Sequence, residues 1–160
     1  MSYLKLIKLL YLADREALSR WGFSVTNDRH VSMPHGPVVS NTYNLVIDEI
    51  DKPFWSTYIT PPLGNYELEL TGANCPTSTL SRAEERLLTE IFDQYGHMNR
   101  WQLRDFTHTL PEWRDPGDSS LPISIREILQ AQNVSREDIE AITQEIDAAD
   151  FAESILGHVA

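Results

Sequence analysis

The sequence predicts a mainly helical α+β domain: five or six helices arranged around the first, one small β-hairpin and an acidic C-terminal helix. Three observations lead there. Apolar residues recur at helical spacing through most of the chain, capping boxes stand at Ser81–Glu84, Ser124–Glu127 and Ser135–Asp138, and strict two-residue alternation runs from Tyr66 to Leu70. A length of 160 residues with 41% hydrophobic content fits one domain with its own core. Residues 1–132 form the body in this reading, and 133–160 an acidic helical extension of it.

The first helix places Leu6, Leu9, Leu10, Ala13 and Ala17 on one stripe, with Lys5, Lys8, Arg15, Glu16 and Ser19 on other faces and Gly22 as its stop. No N-cap residue introduces it, so its first turn is expected to depend on tertiary contacts. From Phe23 to Pro37 no period holds, and Met33-Pro34-His35-Gly36-Pro37 reads as a rigid connector because two prolines fix the backbone. Ser40 or Asn41 then caps a second helix carrying Tyr43, Val46, Ile47 and Ile50 up to Pro53.

Residues 54–71 are expected to form the β-hairpin, turning at Pro61-Pro-Leu-Gly-Asn65 before Tyr66, Leu68 and Leu70 alternate with Glu67 and Glu69. The capping box at Ser81 starts a helix with Leu87, Leu88, Ile91, Phe92 and Tyr95 on one side, stopping at Gly96. Asn99 with Gln102 caps a shorter one through Trp101, Leu103 and Phe106. Residues 111–120 read as loop. The last two capping boxes start a short helix and then a long acidic one with Ile139, Ile142, Ile146, Phe151 and Ile155 at helical spacing.

Charge narrows the class of function. Thirteen basic side chains face 24 acidic ones, a net charge of -11, which repels phosphate backbones and favours cationic partners. Residues 1–40 hold five basic side chains against three acidic, whereas 118–160 hold two against nine, so the acidity sits in the tail. No apolar run approaches the roughly 20 residues needed to span a bilayer. The single cysteine, Cys75, excludes an internal disulfide, and a reducing cytoplasm fits this composition.

Catalytic patterns are missing from the sequence. There is no Gly-x-Ser-x-Gly elbow, Cys75-Pro76 has no local histidine, and the seven glycines are scattered, so neither enzymatic activity nor a cofactor is expected. His30, His35, His97, His108 and His158 lack metal-ligand spacing; a composite site would need the fold to join the His30–His35 loop to the segment holding His97 and His108. The helices at 82–95 and 100–108 can pass for a helix-turn-helix with Arg100, Arg104 and His108 on one face, but Asp105 and the acidic tail weaken phosphate contacts. DNA binding is thus a secondary reading, as autoregulation.

The run Lys5-Leu-Ile-Lys-Leu-Leu-Tyr-Leu-Ala-Asp-Arg15, followed by Met33-Pro-His-Gly-Pro-Val-Val-Ser-Asn-Thr-Tyr43, resembles the first half of the Panacea (SocA-like) antitoxin domain. Tyr95-Gly-His97, Leu103-Arg-Asp-Phe-Thr-His108 and Pro111-Glu-Trp113 resemble its second block, in the same order. The resemblance covers residues 4 to about 130. It implies a helical domain with a small β element that neutralises a co-encoded toxin by direct contact, in phage defence among other settings; some members deliver the toxin to an ATP-dependent AAA+ protease instead. Its shared positions are Lys8, Tyr11, Asp14, Arg15, His35, Gly36, Pro37, Tyr43, Thr107 and His108.

Asp14 and Arg15 project in different directions from the first helix, either as solvated or interhelical charges or as supports fixing the His35-Gly36-Pro37 connector. The candidate partner-binding residues are His35, Trp113 as an exposed loop anchor, and Glu137, Glu140 and Asp147 on the acidic face, which would draw in a basic toxin. The same face read plainly is a solvated one.

Overall fold

The computed structural model describes residues 1–47, 53–60, 66–75 and 79–156, without the side chains of 150, 153 and 156. Among them, seven helices surround one three-stranded antiparallel sheet: α1 Tyr3–Trp21, β1 His30–Met33, β2 Gly36–Val39, α2 Ser40–Ile47, α3 Pro53–Tyr58, α4 Arg82–Tyr95, α5 Arg100–His108, β3 Leu121–Ile123, α6 Ile125–Ala131 and α7 Arg136–Leu156. The mainly helical class with a small β part holds. Ile50, the Pro61–Asn65 turn, Pro76 and His158 lie outside the described residues.

Helix α1 is central, and more deeply so than one stripe implies. Three apolar clusters each take residues from it: Leu9, Leu12, Ala13 and Ala17 meet α4 and α5, Tyr11 and Leu18 meet β3, α6 and α7, and Ile7 meets β2 and α2. Being enclosed on several sides, α1 also buries Lys8 and Asp14, so Lys8 does not face solvent as its helical phase suggested. The first turn is held from outside: Ser2 makes no capping bond, and the Tyr3 N–H donates to the Tyr66 carbonyl at 2.9 Å. At the far end Gly22, with φ +79°, closes the helix by donating its N–H to the Leu18 carbonyl.

The sheet is built on a hairpin at 30–39 that the sequence did not predict. β1 and β2 pair through Met33 and Gly36 around a two-residue Pro34-His35 turn, and β3 pairs on the other side of β1, giving the order β2-β1-β3. Pro37 is tolerated because β2 is an edge strand. The 54–71 prediction is corrected in its first arm: Pro53, suited to the first helical position, opens α3, so pairing begins only at Tyr58–Thr60, which meet Glu69–Thr71, and among the described residues the segment makes two single bridges, Ile59 to Leu70 and Ser2 to Glu67. The alternating segment is extended, but its bonds go to two neighbours. Leu68 exchanges backbone bonds with Met1, while Glu69 and Thr71 bond Thr60 and Tyr58.

The local helix signals carry over well. Ser81, Asn99 and Ser124 each complete a capping box for α4, α5 and α6. Helix α2 differs, because its cap arrives through space: the Asp28 carboxylate accepts the N–H groups of Asn41 and Thr42 at 2.7 and 2.8 Å. The stripe of α7 is only half used. Ile139 is buried and Ile142 packs on Gly22 and the α6 cluster, but Phe151 is 67% exposed and Ile155 51%.

Candidate functional site

The two sequence blocks converge on α1. Lys8 reaches the edge strand and donates to the Pro37 carbonyl at 2.7 Å. Gly36 beside it has φ +93°, and a Cβ there would lie 2.7 Å from Thr107 Oγ1, 2.9 Å from Lys8 Nζ and 3.1 Å from His108 Cδ2. Glycine is therefore required twice, for its backbone angle and for the closeness of α1 and α5 to the turn. Thr107 is buried and turns its hydroxyl back to the Arg104 carbonyl at 3.0 Å.

Lys8 is fully buried, and among the described residues no carboxylate lies within salt-bridge distance of it. Burial pulls its ammonium down to a pKa of about 7. The same burial, with Lys8 and Arg104 nearby, pushes the His108 imidazole below its ordinary value. The His108 ring stacks on Trp113 with centroids 4.0 Å apart, while its Nε2 is enclosed without a partner among the described residues.

Trp113 also donates its indole N–H to the Met33 carbonyl at 3.2 Å. It is half-buried, so the expectation of an exposed loop anchor is corrected: its ring is engaged between α5 and the hairpin turn. Its neighbour Glu112, which sequence reasoning passed over, is a buried carboxylate. One oxygen accepts from Tyr11 Oη at 3.0 Å and Arg15 Nε at 2.7 Å; the other has no partner among the described residues. Burial first, then Glu112, holds the Tyr11 phenol well above its ordinary pKa.

Asp14 and Arg15 do take separate partners, but neither braces the connector; Lys8 does. Asp14 accepts the N–H groups of Val25 and Thr26, both at 2.9 Å, and the Thr26 hydroxyl, and pairs with His30 Nε2 at 3.1 Å. It thereby folds the loop after α1 back onto the helix. His30 is buried here, apart from His35 and His108, which the fold does bring near each other where the Gly36 turn meets α5. Among the described residues no three His, Cys, Asp or Glu side chains come together as metal ligands.

The accessible feature next to this buried network is a cleft of about 430 Å³ between the start of α1, the hairpin turn, α2 and the start of α5. Its walls are mostly apolar, with Leu4, Val38 and Met33 below and the rings of Tyr3, Tyr43, Tyr66, His35 and Trp101 around them. Among the described residues Arg100 is the one lysine or arginine in the lining, 5.0 Å from the Trp101 ring and 5.9 Å from that of Tyr66. Of the predicted positions, His35 and Tyr43 belong to this cleft. Tyr3, Tyr66, Arg100 and Trp101 were not singled out for it, because segments distant in sequence build it.

Across the fold, Glu137 and Asp147 are exposed on α7, and Glu140 pairs with Arg136 at 2.9 Å. On the helix-turn-helix reading's face, Arg100 and Arg104 both lie against the Trp101 ring, and Arg104 is paired with Asp105 at 2.6 Å. No helix among the described residues is long and apolar enough to cross a membrane.

Comparison with curated proteins and with solved structures finds no match. The family model described as "Antitoxin SocA-like, Panacea domain" matches residues 6–114, from the body of α1 through the Glu112–Trp113 loop. That span holds every residue of the buried network centred on Lys8, Gly36, Thr107 and Glu112. The chain belongs to the SocA-like, Panacea-domain antitoxin family.

Proposed function

We propose that the chain acts by binding a protein toxin stoichiometrically and blocking it, as a non-enzymatic antitoxin. The observation that carries this reading is where the family's span places its polar side chains. Lys8, Tyr11, Asp14, Thr107 and Glu112 are buried; all but Thr107, which bonds back within α5, hold loops and strands to α1. Reactive groups spent on internal support leave the surface to do the work, which suits recognition better than turnover.

In this reading the shared residues set the scaffold and exposed ones choose the partner. His35 at the rim of the cleft and Glu137, Glu140 and Asp147 on α7 are the contact residues; the α7 face attracts a basic toxin and speeds encounter. The partner is the product of the adjacent gene. Expression of that gene alone and together with this chain, in cells with and without their AAA+ proteases, tests the function. Growth rescue in both strains supports stoichiometric neutralisation. Rescue confined to the protease-proficient strain points to an adaptor, and no rescue in either overturns the reading.

A further inference from the structure

We propose that the cleft beside the hairpin turn takes a toxin segment in which an apolar or aromatic side chain stands next to a carboxylate; this rests on the binding function proposed above. The cleft is walled by Tyr3, Tyr43, Tyr66, His35 and Trp101, and closed at one side by Arg100. Its volume of about 430 Å³ holds one or two large side chains.

Trp101, although large and apolar, is 45% exposed, and Tyr66 is 58% exposed. Rings left open around a concave apolar floor gain from a further apolar group laid between them. Arg100 supplies the polar half. It makes cation–π contacts to Tyr66 and Trp101, but among the described residues its guanidinium has no carboxylate or carbonyl acceptor. An apolar occupant alone would strip water from those N–H groups without replacing it, whereas a carboxylate accepts from them in paired geometry.

Charge selects among occupants. A cationic group, which an aromatic enclosure would otherwise welcome, is repelled by Arg100. A phosphate chain needs more than one cation, and the protein's net charge of -11 opposes nucleic acid. One guanidinium set among rings matches one carboxylate beside one large apolar side chain, as in a partner's aromatic-acidic or leucine-acidic pair.

The test is selection of a random heptapeptide display library on the immobilised full chain, followed by titration of the enriched peptides. The expected result is enrichment of Trp, Phe, Tyr or Leu beside Asp or Glu. Affinity for such a peptide falls roughly tenfold or more with Arg100→Gln, with Trp101→Ala, or when its acidic residue becomes the amide. Among the described residues the Arg100 guanidinium makes no hydrogen bond, so its variant keeps the fold, which circular dichroism checks. Enrichment of basic peptides, no enrichment, or equal binding by the variants overturns the proposal. The selection uses no toxin, so its failure leaves neutralisation standing, and failed growth rescue with acidic-aromatic peptides still bound at Arg100 leaves the cleft assignment standing.

Discussion

Lys8 and Pro37 are joined by a 2.7 Å hydrogen bond between a fully buried ammonium and the carbonyl of an edge strand. The bond fastens the hairpin turn to the central helix, and its cost is a desolvated amine with a pKa near 7. Unfolded lysine titrates near 10.5. Between these values the unfolded chain binds the extra proton, so stability is lowest below pH 7 and rises as pH rises from 7 toward 10.5. Urea melts from pH 7 to 9 are expected to show a rise approaching about 1.4 kcal/mol per pH unit, absent in Lys8→Met. Keeping below pH 10 avoids ionisation of tyrosines in the unfolded chain.

Gly36→Ala puts a methyl group against Thr107 Oγ1 and Lys8 Nζ at a positive φ. Strain and overpacking add, and a loss of roughly 3 kcal/mol is expected in chemical denaturation. An unchanged midpoint would mean that the turn can withdraw from α5 without cost.

Glu112 ties the segment after α5 to α1 through two donors on one oxygen. Glu112→Gln removes the charge opposite Arg15, whose side chain is 18% exposed and so reaches some water; a loss of about 2 kcal/mol is expected. Tyr11→Phe should cost about 1 kcal/mol. A double-mutant cycle between positions 11 and 112 checks that the two losses are coupled.

The acidic face of α7 is tested by charge reversal. Glu137→Lys with Asp147→Lys alters exposed positions, so the melting temperature should hardly move. Association with a basic toxin should slow roughly tenfold at low salt, with the difference closing as ionic strength rises. A salt-independent rate would remove this face from the encounter.

Helix signals written in a few adjacent residues were legible in the sequence: Ser81, Asn99 and Ser124 cap the helices that they predicted. Signals completed through space were not. Asp28 caps α2 from twelve or more residues away, and the hairpin at 30–39 was obscured by Pro34 and Pro37, which an edge strand accommodates. Alternation at 66–70 reported an extended backbone and its pairing with Tyr58–Thr60, but gave no sign of the second neighbour, Met1–Tyr3.

The candidate site divides the same way. Lys8, Asp14, Gly36 and Thr107 stood out as motif positions, but helical phase put Lys8 in solvent, because a period counts one buried face and α1 is enclosed on several. Glu112 passed unnoticed since a lone loop glutamate carries no local sign of burial. The cleft residues Tyr3, Tyr66 and Arg100 come from segments 30 or more positions apart, beyond the reach of spacing rules.

Neutralisation by direct contact is tested most directly by mixing purified chain with the purified product of the adjacent gene, without ATP or protease, and following both complex mass and toxin activity. The account predicts a complex of fixed stoichiometry and activity that falls to background at that ratio. Undiminished activity at excess antitoxin, with the two proteins eluting separately, would contradict it.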